Sequence, residues 1–153
     1  MKKVILGATG SIGSSLAKKL VESGEQVHLV GRDNASLSEL ANQLNSSFTS
    51  CDVLEENFSE KIVNDLKDDQ VNGLAYCVGS IDLKPLKLTK KSDFMQSFNL
   101  NLVSATEIIK SLADNLKTNK GSIVLFSTVA VKQGFPNHAI VSSAKGAVEG
   151  LTL

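Results

Sequence analysis

A three-layer α/β fold built on a doubly wound parallel sheet is predicted for this chain of 153 residues, on three observations. Short apolar runs alternate with longer amphipathic ones from one end to the other. The first apolar run passes through a glycine-rich turn straight into a helical pattern. The runs themselves lack polar alternation, as strands buried on both faces require.

Taken in order, Lys3 to Leu6 is the first strand and stops at Gly7. Gly7, Gly10 and Gly13 follow at intervals of three, and Ser11 to Ser23 reads as a helix with Gly24 as its C-cap. Gln26 to Val30 is the second strand, closed by Gly31-Arg32. Ser36-Leu37-Ser38-Glu39 has the pattern of a capping box ahead of Leu40, Ala41 and Leu44. Ser47 to Ser50 is the third strand, and Phe58, Ile62 and Leu66 recur every four residues as a third helix. Gly73 to Cys77 is the fourth strand. From Ser92 to Leu116 the positions Phe94, Phe98, Leu102, Ala105, Ile109, Leu112 and Leu116 predict one long helix with a continuous buried stripe. Ser122 to Phe126 is the fifth strand, expected at an exposed sheet edge. A last helix begins after Pro136-Asn137, with Ile140, Ala144, Val148 and Leu151 on one stripe, and runs to Leu153 with no capping glycine or polar tail.

Composition bounds the function. Lys plus Arg and Asp plus Glu are 16 each and aromatic residues are 5%, so no nucleic acid and no membrane partner is expected. The apolar run after Met1-Lys2-Lys3 breaks at Gly7, too early for a signal peptide or a span, and a cytoplasmic protein is expected. The length supports one domain, residues 1–153. Cys51 and Cys77 lack metal-ligand spacing and follow strand-like runs, so each is expected to be structural, with no disulfide and no metal.

Strand, glycine turn and helix in that order are what a dinucleotide pyrophosphate site requires. Gly7 permits the tight exit from the strand. Small residues at Ala8, Thr9 and Gly10 let backbone N–H groups approach the phosphates at the start of the helix, and Gly13 lets that helix lie close to the sheet. Gly7, Thr9, Gly10, Ser11, Ile12 and Gly13 are therefore candidate cofactor-binding residues.

The glycine turn, Ser50-Cys51-Asp52-Val53, the helix carrying Asn99-Leu100-Asn101-Leu102, and Gly121-Ser122-Ile123-Val124-Leu125-Phe126-Ser127-Thr128 followed by Ser142-Ser143-Ala144-Lys145-Gly146 together resemble the short-chain dehydrogenase/reductase family from Lys3 to Leu153. The resemblance implies a Rossmann sheet, a nicotinamide cofactor and interconversion of a carbonyl and an alcohol by a Ser-Tyr-Lys set supported by an Asn. It also implies further C-terminal strands and a substrate loop, which lie beyond Leu153 in such proteins; the sheet is expected to lack those strands. Dimers through the last two long helices are common in the family, so a homo-oligomer is expected.

Residue by residue, Lys145 matches the lysine that holds the nicotinamide ribose and lowers the pKa of the tyrosine. Thr128, preceded by Ser127, falls on the serine that hydrogen-bonds the substrate carbonyl, and Asn101 on the asparagine that bends the central helix and connects to the lysine through water. Asn101, Thr128 and Lys145 are the catalytic candidates. The tyrosine position is Val141, which has no titratable proton. Where the family has Asn-Asn-Ala-Gly, this chain has Tyr76-Cys77-Val78-Gly79, keeping only Gly79 as a cofactor candidate. Tyr76, the only tyrosine, is read as packing, with a stand-in catalytic role as the alternative. The glycine turn, with Ser11 in place of a middle glycine, looks like the variant shared with extended and atypical members.

Charge bears on the cofactor. A carboxylate at the end of the second strand holds NAD(H), whereas the 2′-phosphate of NADP(H) needs a cation there. Gly31 occupies the acid position and Arg32 follows, which favours NADP(H) over NAD(H). Asp33 competes with that reading, and Arg32 stacked on adenine is its alternative. Asp52 with Val53 matches the family pair at the adenine, or Asp52 caps the next helix. Two classes follow: a carbonyl/alcohol oxidoreductase acting on a small molecule with impaired activity, or a dinucleotide-binding protein or fragment without catalysis.

Overall fold

Five parallel strands in the order β3-β2-β1-β4-β5 form the single sheet of the computed structural model, which describes residues 1–153. They are β1 (Lys2–Leu6), β2 (Gln26–Gly31), β3 (Ser47–Ser50), β4 (Val71–Tyr76) and β5 (Ser122–Leu125). The helices are α1 (Ser11–Glu22), α2 (Asn34–Leu44), α3 (Phe58–Leu66), α4 (Lys91–Phe98), α5 (Ser104–Thr118) and α6 (Ala139–Leu151). This is the predicted doubly wound architecture, with β5 at the expected edge.

Side chains alternating along each strand divide the core in two. Ile5, Val27 and Leu29 point to one face and pack with Ala17, Leu37, Leu40 and Ala41 of α1 and α2. Val4, Leu6 and Val30 point to the other and pack with Phe58, Ile62 and Leu66 of α3 and Ala105, Ile108, Leu112 and Leu116 of α5. The free thiols separate in the same way: Cys51 belongs to the α3/α5 side and Cys77 packs on the α1/α2 side. Burial pushes both thiols up to about 11.

Three local expectations are corrected. Helix α2 starts three residues earlier than the Ser36 capping box would place it, because Asp33 is the cap and its Oδ1 accepts from Ser36 N–H at 2.7 Å. Asp52 does not cap α3, whose N-cap is Asn57; its Oδ1 accepts instead from Leu54 N–H at 3.0 Å. The long helix from Ser92 to Leu116 is broken by a π-turn over Asn99–Val103. One extra residue in that turn rotates the stripe, so Ile108 and not Ile109 is fully buried.

One buried histidine escaped the sequence pattern. His28 is 1% exposed in the middle of β2. Its Nδ1 lies 2.8 Å from Ser47 Oγ and its Nε2 2.9 Å from Thr49 Oγ1. Lys2 Nζ donates to Ser47 Oγ, and Thr49 Oγ1 donates to Asp65 Oδ2 at 2.6 Å. Donors and acceptors then run in one direction only, with Ser47 donating to Nδ1 and Nε2–H donating to Thr49, and this chain is complete with a neutral imidazole.

Candidate functional site

The glycine turn sits where β1 ends between β2 and β4, and its geometry leaves little freedom at two positions. Gly7 has φ of 75°, and a Cβ there would come within 2.9 Å of the Cys77 carbonyl group, just past the end of β4. A Cβ at Gly13 would overlap the Gly7 carbonyl oxygen, so the first turn of α1 rests on the turn itself. Such backbone contact cannot relax as a side-chain contact can.

In front of the turn lies an open cleft of about 780 Å³ at the carboxyl ends of β1, β2 and β4. Of the cofactor candidates, Gly7, Thr9, Gly10, Arg32, Asp52, Val53 and Gly79 line it. Ser11 and Ile12 are exposed at the start of α1, whereas Gly13 is buried behind the turn. Val78, Ser80, Gln96 and Leu100 continue the lining. The last two lie on the helix that the π-turn interrupts, which sequence spacing could not bring to the cleft.

At the β2 end, Arg32 Nη1 lies 3.5 Å from Asp52 Oδ2, with the arginine side chain 76% exposed. Such a pair holds the guanidinium weakly and leaves it free to turn to an anion. Asp33 differs. The Ser36 N–H holds its carboxyl below the ordinary range, and that carboxylate is committed to the start of α2.

At the β4 end the chain brings Asn101 and Lys145 together over Gly79. A Cβ on Gly79 would stand 3.0 Å from Asn101 Oδ1 and 3.4 Å from Lys145 Nζ. Asn101 is 1% exposed, held in the π-turn by Nδ2 donating to Ser97 O at 2.9 Å. Its Oδ1 is a buried side-chain acceptor without a partner, a state that calls for a donor from outside the chain. Lys145 is partly buried on α6, and burial lowers its pKa. A glycine cradle and an orphaned acceptor beside a lysine fit a polar ligand that lies along the strand ends.

Val141, one turn before Lys145, is 3% exposed and brings no proton. Thr128 caps the short turn Val129–Val131, its Oγ1 accepting from Ala130 N–H at 3.3 Å. Ser127 donates to Glu149 Oε1 at 2.6 Å and is thereby tied to α6. Tyr76 is 3% exposed and its hydroxyl donates to Leu100 O at 2.7 Å, in the π-turn whose helix hydrogen bonding is displaced. Burial raises the phenol above its ordinary range. The ring pins the π-turn that holds Asn101, and packing, not a stand-in proton donor, accounts for it.

Residues 2–153 match the family described as short chain dehydrogenase. The chain is 28% identical over 97% of its length to L-fucose dehydrogenase of Oryctolagus cuniculus and 29% identical over 99% to L-xylulose reductase of Bos taurus. It spans 54% and 62% of those relatives' own lengths. Among solved structures, serine dehydrogenase from Escherichia coli superposes with a TM-score of 0.90 at 18% identity, covering 99% of this chain and 73% of that one, and shares the fold. No helix is long and apolar enough to cross a membrane. With the match running from the first strand to the last helix, the chain belongs to the short chain dehydrogenase family.

Proposed function

We propose that this chain binds a nicotinamide dinucleotide in the cleft, with NADP(H) preferred over NAD(H), and belongs to an oxidoreductase that interconverts a carbonyl and an alcohol on a small molecule with impaired turnover. The observation that carries this reading is the pairing of the glycine cradle at Gly7 and Gly10 with Asn101 and Lys145 converging over Gly79. The relatives' names support the reaction class, since one is a sugar dehydrogenase and the other a sugar reductase.

Gly7, Thr9 and Gly10, at the N-terminus of α1, would hold the pyrophosphate, with Ser11 and Ile12 beside it and Gly13 holding the helix in place. Asp52 and Val53 would meet the adenine, Gly79 and Lys145 the nicotinamide ribose, and Arg32 the 2′-phosphate. The helix-capping duty of Asp33 supports the preference, because a carboxylate already accepting a backbone N–H is a poorer partner for a ribose hydroxyl. When bound, the dinucleotide supplies or accepts the hydride. Thr128 would orient the carbonyl, and Asn101 would hold a water against Lys145. Val141 leaves the proton step without its donor, which supports impairment and keeps a purely dinucleotide-binding role as the second reading.

Calorimetric titration tests the reading. NADPH is expected to bind more tightly than NADH, and Arg32→Asp to weaken NADPH by roughly 1.5–3 kcal/mol, narrowing or reversing the preference. Absence of binding by either nucleotide would remove it. Self-association is part of the proposal, supported by Met95 and Val103, exposed by 53% and 46% on the interrupted helix. A cytoplasmic location is supported by the two free thiols on opposite sheet faces.

A further inference from the structure

Lys145 is the cation that the fold brings against Gly79, a residue of the cleft lining, and no acidic side chain pairs with it. None of the ion pairs involves it, and no charged neighbour contributes to its depressed pKa, which comes from burial alone. The side chain one turn earlier on its helix is the apolar Val141. Beside it stand Gly79, which contributes no atom beyond its backbone, and the unpartnered Asn101 Oδ1. A lysine that is partly desolvated, unpaired and set against a glycine of the cleft lining has the environment in which an amine acts as a nucleophile toward carbonyl compounds.

We propose that Lys145 is a carbonyl-condensing residue, whose Nζ adds reversibly to an aldehyde or ketone entering over Gly79 and forms an imine with it. This rests on the function proposed above only for the carbonyl class of ligand. The nitrogen lone pair forms the C–N bond while the carbonyl π electrons pass to oxygen, giving a carbinolamine after the ammonium proton moves from nitrogen to oxygen. Loss of the second nitrogen proton and of that oxygen as water gives the imine, and neither oxidant nor reductant is consumed. Asn101 Oδ1, 3.0 Å from the point where a Gly79 Cβ would stand, is placed to accept an N–H as the nitrogen turns toward the carbonyl. A tyrosine at position 141 would compete for the same amine, and valine leaves it free.

Butanal with sodium cyanoborohydride, followed by peptide mapping of the intact chain, tests the proposal. Reduction traps an imine as a stable butyl-lysine. Lys145 is expected to be butylated at least about fivefold faster than the exposed lysines near neutral pH, because burial raises its free-amine fraction. Gly79→Ala, which fills the space above the glycine, is expected to slow Lys145 while leaving the exposed lysines unchanged, and Lys145→Arg to remove the fast site. Labelling of Lys145 at the rate of the exposed lysines would overturn the proposal, as would a Gly79→Ala variant with full labelling. An arm with added NADPH separates the two readings. Fast labelling that NADPH suppresses supports both. Fast labelling that NADPH leaves unchanged supports the imine and counts against the cofactor site, whereas NADPH binding without fast labelling sinks the imine alone.

Discussion

The end of the cleft formed by β1, α1 and β2 and the end formed by β4, the π-turn and α6 are built on different principles. At the first, backbone presses on backbone: Gly7 against Cys77, and α1 resting on the turn through Gly13. At the second, side chains from three separated segments meet over Gly79, and the position that would supply a proton is the apolar Val141. The adjoining sheet edge is open, with Ile123 and Val124 exposed by 43% and 47%. A nucleotide cradle made of main chain tolerates sequence drift everywhere except at its glycines. A reaction centre made of side chains loses its chemistry with one replacement and keeps its shape. Binding and turnover are therefore expected to come apart in this protein.

The largest expected effect is on turnover. NADPH-dependent reduction of simple ketones or aldehydes should be undetectable or lower by about 100- to 10,000-fold than in a relative with tyrosine at this position, since a positioned proton donor contributes about that much. Nicotinamide absorbance followed over time measures it. Val141→Tyr should restore activity only when the segment by which the relatives are longer is joined to the chain. Rapid reduction by the unmodified chain would erase the contrast between the two ends.

Next comes the backbone cradle. Gly13→Ala should cost about 3 kcal/mol or more in stability, because the methyl meets a carbonyl that cannot move aside, and should abolish nucleotide binding. Denaturant midpoints and titration check both effects. A folded Gly13→Ala protein with full affinity would break the claim that the cradle is rigid.

His28 offers a comparison in which neither end of the cleft takes part. Burial first, and Lys2 second, lower its pKa from 6.5 to about 4, against the opposing pull of Asp65 and Asp69. A folded pKa below the unfolded one means that stability is complete above about 6.5 and falls as pH drops toward about 4, where the folded state also takes the proton. The loss over that window approaches about 3 kcal/mol. His28→Gln should flatten the window in melts taken between those limits.

The smallest expected effect sharpens the assignment of Tyr76. Tyr76→Phe leaves Leu100 O without its donor in a buried setting and should cost about 1–2 kcal/mol in stability, with nucleotide affinity unchanged. A loss of turnover larger than the loss of stability would return the hydroxyl to the chemistry.

The parallel sheet, its strand-helix alternation and the glycine turn are legible in the sequence, because each is written in neighbouring residues. Period, apolar run length and glycine spacing act within about ten positions of one another. The resemblance in the later segments carries Asn101, Thr128, Val141 and Lys145 as positions without distances. Local patterns mislead where two solutions are chemically equivalent. Asp33 and Ser36 both make good helix caps, and the folded chain takes Asp33, whose carboxylate accepts from Ser36 N–H. The π-turn is equally hidden, since an added residue leaves the apolar count of a helix unchanged while turning its face.

By itself, the sequence determined the fold class, the place of the cradle and the absence of a proton donor at position 141, all of them properties of single residues or short windows. Tertiary structure alone decided that Asn101 and Lys145 converge over Gly79, that Tyr76 is tied to Leu100, and that His28 is buried between Ser47 and Thr49. Those outcomes depend on distance between segments tens of residues apart, and distance is set by how the sheet and helices pack, which no local pattern encodes.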